Sequence, residues 1–143
     1  MPKDNLVRLI IDTNIWISFL ISDKYQKLDK VLSHPKTTIL FSIELLEEIN
    51  RVATFPKLMK YFSLNAVEEM LLSLEDYVEL VKVKSKVEIC RDPADNFLLA
   101  LSKDGEANFL ITGDQDLLDL ETFGITKIIS LTNFPNRENI KIL

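Results

Sequence analysis

The stretch LVRLIIDTNIW, residues 6–16, decides the fold of this chain. Leu6, Val7, Leu9, Ile10 and Ile11 are apolar with only Arg8 interrupting them. A run so nearly continuous reads as a strand covered on both faces, not as one half-exposed to water. Asp12, Thr13 and Asn14 follow at once, and Ile15, Trp16, Ile17, Phe19 and Leu20 resume an apolar, helical run. A buried strand that ends in a carboxylate belongs to an open α/β sheet, which builds its ligand sites at the carboxyl ends of its strands.

The rest of the chain repeats this alternation. Helical segments are expected at about 14–21 and 24–33, and TTILF (37–41) is a second strand leading into the helix SIELLEEINRVAT (42–54). Phe55-Pro56 breaks that helix, KLMKYF (57–62) forms another short helical turn, and a longer amphipathic helix starts near residue 63. VELVKV (78–83) reads as a third strand. DPADNFLLALSKDG (92–105) carries helix start and stop signals: Asp92 as cap, Pro93 in the first position and Gly105 after the end. NFLIT (108–112) and TKIIS (126–130) complete five strands, with a helical turn at DQDLLDL between them. Strands alternating with helices predict a three-layer α/β/α fold with a parallel sheet and right-handed crossovers.

Composition narrows the setting. The 143 residues, 47% of them apolar, with 3 Gly and 5 Pro, read as one domain spanning 1–143. No run approaches the roughly 18 apolar residues of a membrane span, and no secretory leader is recognisable, so a cytoplasmic protein is expected. Cys90 is the sole cysteine, which excludes an intrachain disulfide and a cysteine-built zinc site. The net charge of -5 argues against binding nucleic acid mainly by phosphate neutralisation, unless a bound divalent cation reverses the charge locally. His34, the one histidine, lies in a turn-like SHPK segment, so chemistry built on a histidine pair is excluded.

Four acids stand out. Asp114 repeats the placement of Asp12, because GDQD directly follows the apolar NFLIT. Each could simply cap a helix, although Thr13 and Asn14 could cap the first one without Asp12. On helix 42–54, Leu45, Leu46, Ile49, Val52 and Ala53 form an apolar stripe at about 100° per residue. Glu48 lies at its edge, while Glu44, Glu47 and Arg51 point outward. Asp95 sits on a helix apolar almost all round, with Leu98 and Leu99 on its own face, and a carboxylate there needs a cation or several donors. Asp12, Glu48, Asp95 and Asp114 can thus converge on one mouth of the sheet, with Asp116 as a possible fifth. Oxygen ligands without Cys or His suit Mg²⁺ or Mn²⁺ better than zinc. An acid cluster holding one or two such ions is the equipment of phosphodiester hydrolysis, and it requires no histidine.

The segments IIDTNIWIS, FSIELLEEI, DPADNFLLAL and FLITGDQDLL, in this order, resemble the PIN-domain nucleases, most closely the VapC-like toxin components of bacterial and archaeal toxin–antitoxin pairs. The resemblance runs from about Leu6 to Phe134. It places the family's metal-binding acids on Asp12, Glu48, Asp95 and Asp114, with Asp116 matching a less regular acid of the last motif. Thr13 belongs to the first motif, and Asn14, Ser42 and Thr112 fall on polar positions that hydrogen-bond those carboxylates or the substrate. The resemblance further implies a five-stranded parallel sheet in the order 3-2-1-4-5, dependence on Mg²⁺ or Mn²⁺, and cleavage of single-stranded RNA. A homodimer and a small blocking antitoxin are implied as well. The extended FPKLMKYF and its following helix depart from compact VapC toxins and point to a different lid and substrate groove.

Two other readings compete. A haloacid-dehalogenase-type phosphatase also begins with a strand ending in Asp, but it wants a second Asp where Asn14 stands. A PIN-like domain serving only as a binding module would be expected to have lost some of the four acids. Trp16, Phe19, Tyr61 and Phe62 read as core or dimer packing. The alternating Lys82, Lys84 and Lys86 fit an exposed edge strand protected against aggregation. Contact with RNA phosphates is a further possible role for these lysines and for Lys57 and Lys60.

Overall fold

The structure is a computed structural model that describes residues 6–21, 30–32, 34–60 and 65–135. The opening run folds as strand β1 (Val7–Ile11), in which Val7, Leu9, Ile10 and Ile11 are all wholly shielded from solvent. Helix α1 (Thr13–Ile21) follows immediately, and β2 (Thr37–Phe41) pairs parallel to β1, Val7 opposite Thr37. On the other side of β1 lies β4 (Phe109–Ile111), with Ile11 opposite Ile111. β3 (Val78–Leu80) and β6 (Thr126–Ile129) extend the parallel array outward.

Among the described residues the sheet has six strands in the order β3-β2-β1-β4-β6-β5, where β5 is Thr122–Phe123, with helices on both sides. Its five parallel strands follow the expected 3-2-1-4-5 path. The sixth, β5 (Thr122–Phe123), is an antiparallel two-residue strand against β6. Two residues carry no periodicity to read, which is why the sequence did not disclose it.

Helix α2 (Ile43–Ala53) buries Leu45, Ile49 and Ala53 and packs against α1. Trp16 on α1 stacks on Phe41 at the end of β2 (centroids 5.2 Å apart, 29° between planes) and meets Phe19 edge-on, so both rings belong to the packing. Tyr61 and Phe62 lie outside the described residues, as do most of the expected helix 24–33, of which residues 30–32 are helical, and the start of the helix expected near residue 63. Beyond α2 come α3 (Pro56–Met59) and α4 (Ala66–Ser73), and the latter stops eight residues in, giving way to a 3₁₀ turn at Glu75–Tyr77.

The third strand is shorter than expected. Only Val78–Leu80 is laddered, and Val81 adds one bond, donating to the Phe41 carbonyl at 2.7 Å. Residues 81–88 nevertheless keep an alternating exposure with Lys82, Lys84 and Lys86 outward. Asp104 holds this segment, accepting from the backbone N–H groups of Lys84 and Ser85 and from the Ser85 hydroxyl. These bonds pull the Asp104 carboxyl below its usual range. At the opposite end of the sheet from the acids, Arg8 reaches across to Glu79 with a two-pronged contact (2.8 and 3.0 Å) and donates to the Gly105 carbonyl.

The helix expected at 92–105 is divided. Asp92 caps a single 3₁₀ turn (Pro93–Asp95), and α5 (Asn96–Asp104) begins after it. Gly105 ends α5 with an ordinary right-handed φ of -86°. Its need for glycine is steric: a Cβ there would lie 2.7 Å from Leu40 Cδ1 and 2.9 Å from the Leu101 carbonyl oxygen. Among the described residues no helix is long and apolar enough to cross a membrane.

Candidate metal centre

Asp12 stands at the exit of β1, 5% exposed. Its backbone N–H donates to the Ile111 carbonyl, and its own carbonyl accepts from Ile15 and Trp16, so the residue closes a strand pair and opens α1. The side chain is thereby held where no register slip can move it. Thr112, wholly buried at the exit of β4, donates its hydroxyl to Asp12 Oδ2 at 2.6 Å. The same hydroxyl oxygen accepts the Asp114 N–H at 3.0 Å. Asp114 then caps α6 (Gln115–Leu118), its Oδ1 accepting from the Asp116 N–H at 2.9 Å. The capping role weighed for Asp114 is therefore real, and it occupies only one of its carboxylate oxygens.

Asp95 arrives from the other side, on the last residue of the 3₁₀ turn. Its Oδ2 atom is buried and receives no hydrogen bond from the described residues. Burial most of all, then the adjacent Asp114 through a carboxyl–carboxylate hydrogen bond and its charge, with further charge from Asp12 and Asp92, push Asp95 up to about 8. Asp12 is raised too, chiefly by burial, with the Thr112 hydroxyl and the Thr13 and Asn14 N–H groups opposing and the Asp114 charge adding to the rise. Three acids from three chain segments thus press on one another in a partly dry site. Such an arrangement lacks positive charge.

Asp92, Asp95 and Asp116 each present one carboxylate oxygen such that the three lie within 4.8 Å of one another. Asp92 is a residue that sequence reading assigned only as a cap. The missed signal is its spacing: the cap of a one-turn 3₁₀ segment and that segment's last residue stand three apart, and here their carboxylates come together. Hard oxygen donors, an orphaned buried carboxylate oxygen and a raised pKa fit a divalent cation. The candidate ligands are Asp95, which belongs to both groupings, with Asp12, Asp114, Asp92 and Asp116 around it.

The other expected site residues distribute differently. Glu48 on α2 pairs with Arg51, one turn on, contrary to the expectation that Arg51 points away. Residues three apart on a helix are neighbours, and Arg51 folds back although its stem is exposed. α2 also contacts α5, the helix that Asp95 precedes, but the partner the structure gives the Glu48 carboxylate is Arg51. Ser42 is fully buried and caps α2, accepting from the Leu45 N–H at 3.1 Å; it does not serve a carboxylate. Asn14 is exposed, and its contribution to Asp12 is its backbone N–H. Thr13 is 5% exposed with a buried hydroxyl that has no partner among the described residues.

Two neighbours complete the setting. Cys90 is buried, its N–H donating to Asn96 Oδ1 and its thiol to the Asp116 carbonyl, and burial raises its pKa. Arg91 is exposed and forms ion pairs with Asp116 (3.0 Å) and Asp119. His34 lies at the amino end of β2, accepting from the Lys36 N–H, so it stands at the edge of the sheet away from the acids.

The uncharacterised protein MJ1680 of Methanocaldococcus jannaschii is 29% identical over 117 residues, covering 80% of this chain and 75% of that one. The PIN domain family matches residues 8–116, a span that contains Asp12, Glu48, Asp92, Asp95, Asp114 and Asp116. PIN domains are typically metal-dependent nucleases, and this chain belongs to the PIN domain family.

Proposed function

We propose that this protein is a Mg²⁺- or Mn²⁺-dependent endoribonuclease that hydrolyses phosphodiester bonds in single-stranded RNA. One observation carries the reading: carboxylates from β1, the 3₁₀ turn and the β4–α6 junction gather at the carboxyl edge of the sheet, with a buried Asp95 oxygen that no donor satisfies. Asp12, Asp95 and Asp114 are the residues best placed to hold the ion, with Asp92 and Asp116 on its outer side. A divalent cation bound there would supply Lewis-acid activation of water and neutralise phosphate charge.

The chain's own residues do the remaining work. Thr112 fixes the Asp12 carboxylate and, through the Asp114 N–H, the second strand exit, so both acids are preorganised. The high proton affinity of Asp95 keeps the cluster tolerable before the ion arrives. Asn14 is exposed beside Asp12 and Glu48 is 29% exposed, and on this reading RNA takes the place of Arg51 at the Glu48 carboxylate. The resemblance to VapC-like proteins extends the reading to a cytoplasmic toxin, homodimeric and restrained by a small antitoxin. Phe55 before α3, Met59 on α3 and Leu72 on α4 are exposed apolar side chains that such a partner could cover.

The test is a matched assay of single-stranded RNA, single-stranded DNA, duplex RNA and a small phosphomonoester, each with and without Mg²⁺ or Mn²⁺. Metal-dependent cutting of single-stranded RNA alone is expected, abolished in the double variant Asp12→Asn, Asp95→Asn. Activity on the phosphomonoester, or none on any substrate, overturns it. Growth arrest on expression, lost in the same double variant, is the expected sign of the toxin role.

A further inference from the structure

Arg91 pairs with Asp116 at the rim of the acid cluster, and the nuclease reading leaves it without a task. It directly precedes Asp92, yet its guanidinium crosses to α6, where Nε meets Asp116 Oδ1 at 3.0 Å and a terminal nitrogen pairs with Asp119. It thus spans the two segments that supply Asp92 and Asp95 on one side and Asp116 on the other. Its side chain is 63% exposed, so it can leave without opening a cavity.

The two segments it spans have other ties. The 90–96 segment is held by Cys90 N–H to Asn96 Oδ1 and by Ala94 N–H to Asp92 Oδ1. Asp116 keeps its place through its N–H on Asp114 Oδ1, and Asp119 keeps a donor in Gln115 Nε2. The Cys90 thiol also bridges the two segments by donating to the Asp116 carbonyl. A residue that crosses a cluster without holding it together is a counter-charge.

We propose that Arg91 is a displaceable counter-ion of the metal cluster that, once a divalent cation takes Asp116, turns to bind a phosphate of the RNA substrate. Its planar fork suits a phosphate as well as it suits two carboxylates. The inference rests on the nuclease reading and adds a positioning residue to it. In the protein without metal, Arg91 lowers the negative charge that would otherwise destabilise the mouth. With metal bound, the same guanidinium is released at the rim of the site, beside the scissile strand.

Two measurements on wild type, Arg91→Ala and Arg91→Lys test this. The first is Mn²⁺ affinity without RNA, by calorimetry or paramagnetic resonance. Removing the competitor is expected to tighten Mn²⁺ binding in Arg91→Ala by about two- to fivefold, in line with an exposed ion pair. The second is affinity for a short single-stranded RNA in Ca²⁺, followed by fluorescence anisotropy across salt concentrations. Arg91→Ala is expected to bind RNA more weakly, its salt slope falling by about 0.7, the loss of one phosphate contact, while Arg91→Lys keeps the slope. Weaker Mn²⁺ binding in Arg91→Ala would mean a structural staple, and unchanged metal and RNA affinities would mean an idle surface residue; either overturns the proposal. Wild type that takes up no Mn²⁺ sinks the nuclease reading itself, so the two failures are distinguishable.

Discussion

Thr112 donates its hydroxyl proton to Asp12 across 2.6 Å, joining two residues 100 positions apart. Because its oxygen also accepts from the Asp114 backbone, one small side chain sets two acids at the ends of adjacent parallel strands. Neither bond can be replaced by water, since Thr112 is wholly buried.

Thr112→Val keeps the shape and removes both bonds. Leaving a buried carboxylate one donor short is expected to cost about 1–3 kcal/mol, measured by urea unfolding of the metal-free protein. Divalent-ion affinity is expected to fall about tenfold or more, as it does when partners that orient ligands are lost. Thr112→Ser is expected to restore most of both.

Stability without metal is expected to fall as pH rises. Asp95, raised to about 8, stays protonated in the folded state across a window where an unfolded Asp has already lost its proton. The folded state then binds more protons than the unfolded one, so unfolding free energy declines from roughly pH 4 up to about 8. Asp12, also raised, adds to the same slope. Asp104 and Asp119, held low, act in the opposite sense only below about pH 4. Mg²⁺ binding must expel the Asp95 proton, so its affinity rises with pH. Thermal melts at pH 5.5 and 8.5, with and without Mg²⁺, check this: the metal-free protein should melt lower at pH 8.5, and Mg²⁺ should stabilise it most there.

Much of this site was legible in the sequence, for a physical reason. A strand buried on both faces is almost wholly apolar, so the polar residues directly after it mark the sheet edge, and Asp12 and Asp114 announce themselves so, whereas Thr112 was reached only through the family resemblance. Asp92 did not announce itself, because capping accounted for it fully. The 3₁₀ turn that aligns it with Asp95 leaves no trace in hydrophobic periodicity. Glu48 was placed correctly at the margin of the α2 stripe, but helical angle alone does not reveal that Arg51 bends back to it. Ser42 shows the converse: a polar residue after a buried strand, as Asp12 is, whose side chain serves its own helix.

Gly105→Ala tests the packing apart from the site. An added Cβ would press on the Leu101 carbonyl and on Leu40, and relieving that is expected to cost about 1–3 kcal/mol. Denaturant unfolding measures the loss, and Mn²⁺ affinity per folded molecule should not change.

The acids should also rank by their present partners. Glu48 already has Arg51, whereas Asp95 has a buried oxygen with none. Glu48→Gln is expected to weaken Mn²⁺ binding by less than about tenfold, a modest electrostatic effect, and Asp95→Asn by about a hundredfold or more, with a gain in metal-free stability at pH 8 from relieved repulsion. Calorimetric titration and melting curves of the two variants give the order.

The central claim is that carboxylates distant in sequence form one divalent-ion site, and titration of Mn²⁺ into the metal-free protein by calorimetry addresses it directly. The wild type is expected to bind Mn²⁺ with proton release at pH 7, and the Asp12→Asn, Asp95→Asn variant, folded by circular dichroism, is expected to bind none. Equal uptake by both proteins, or no uptake by the wild type, would contradict the account.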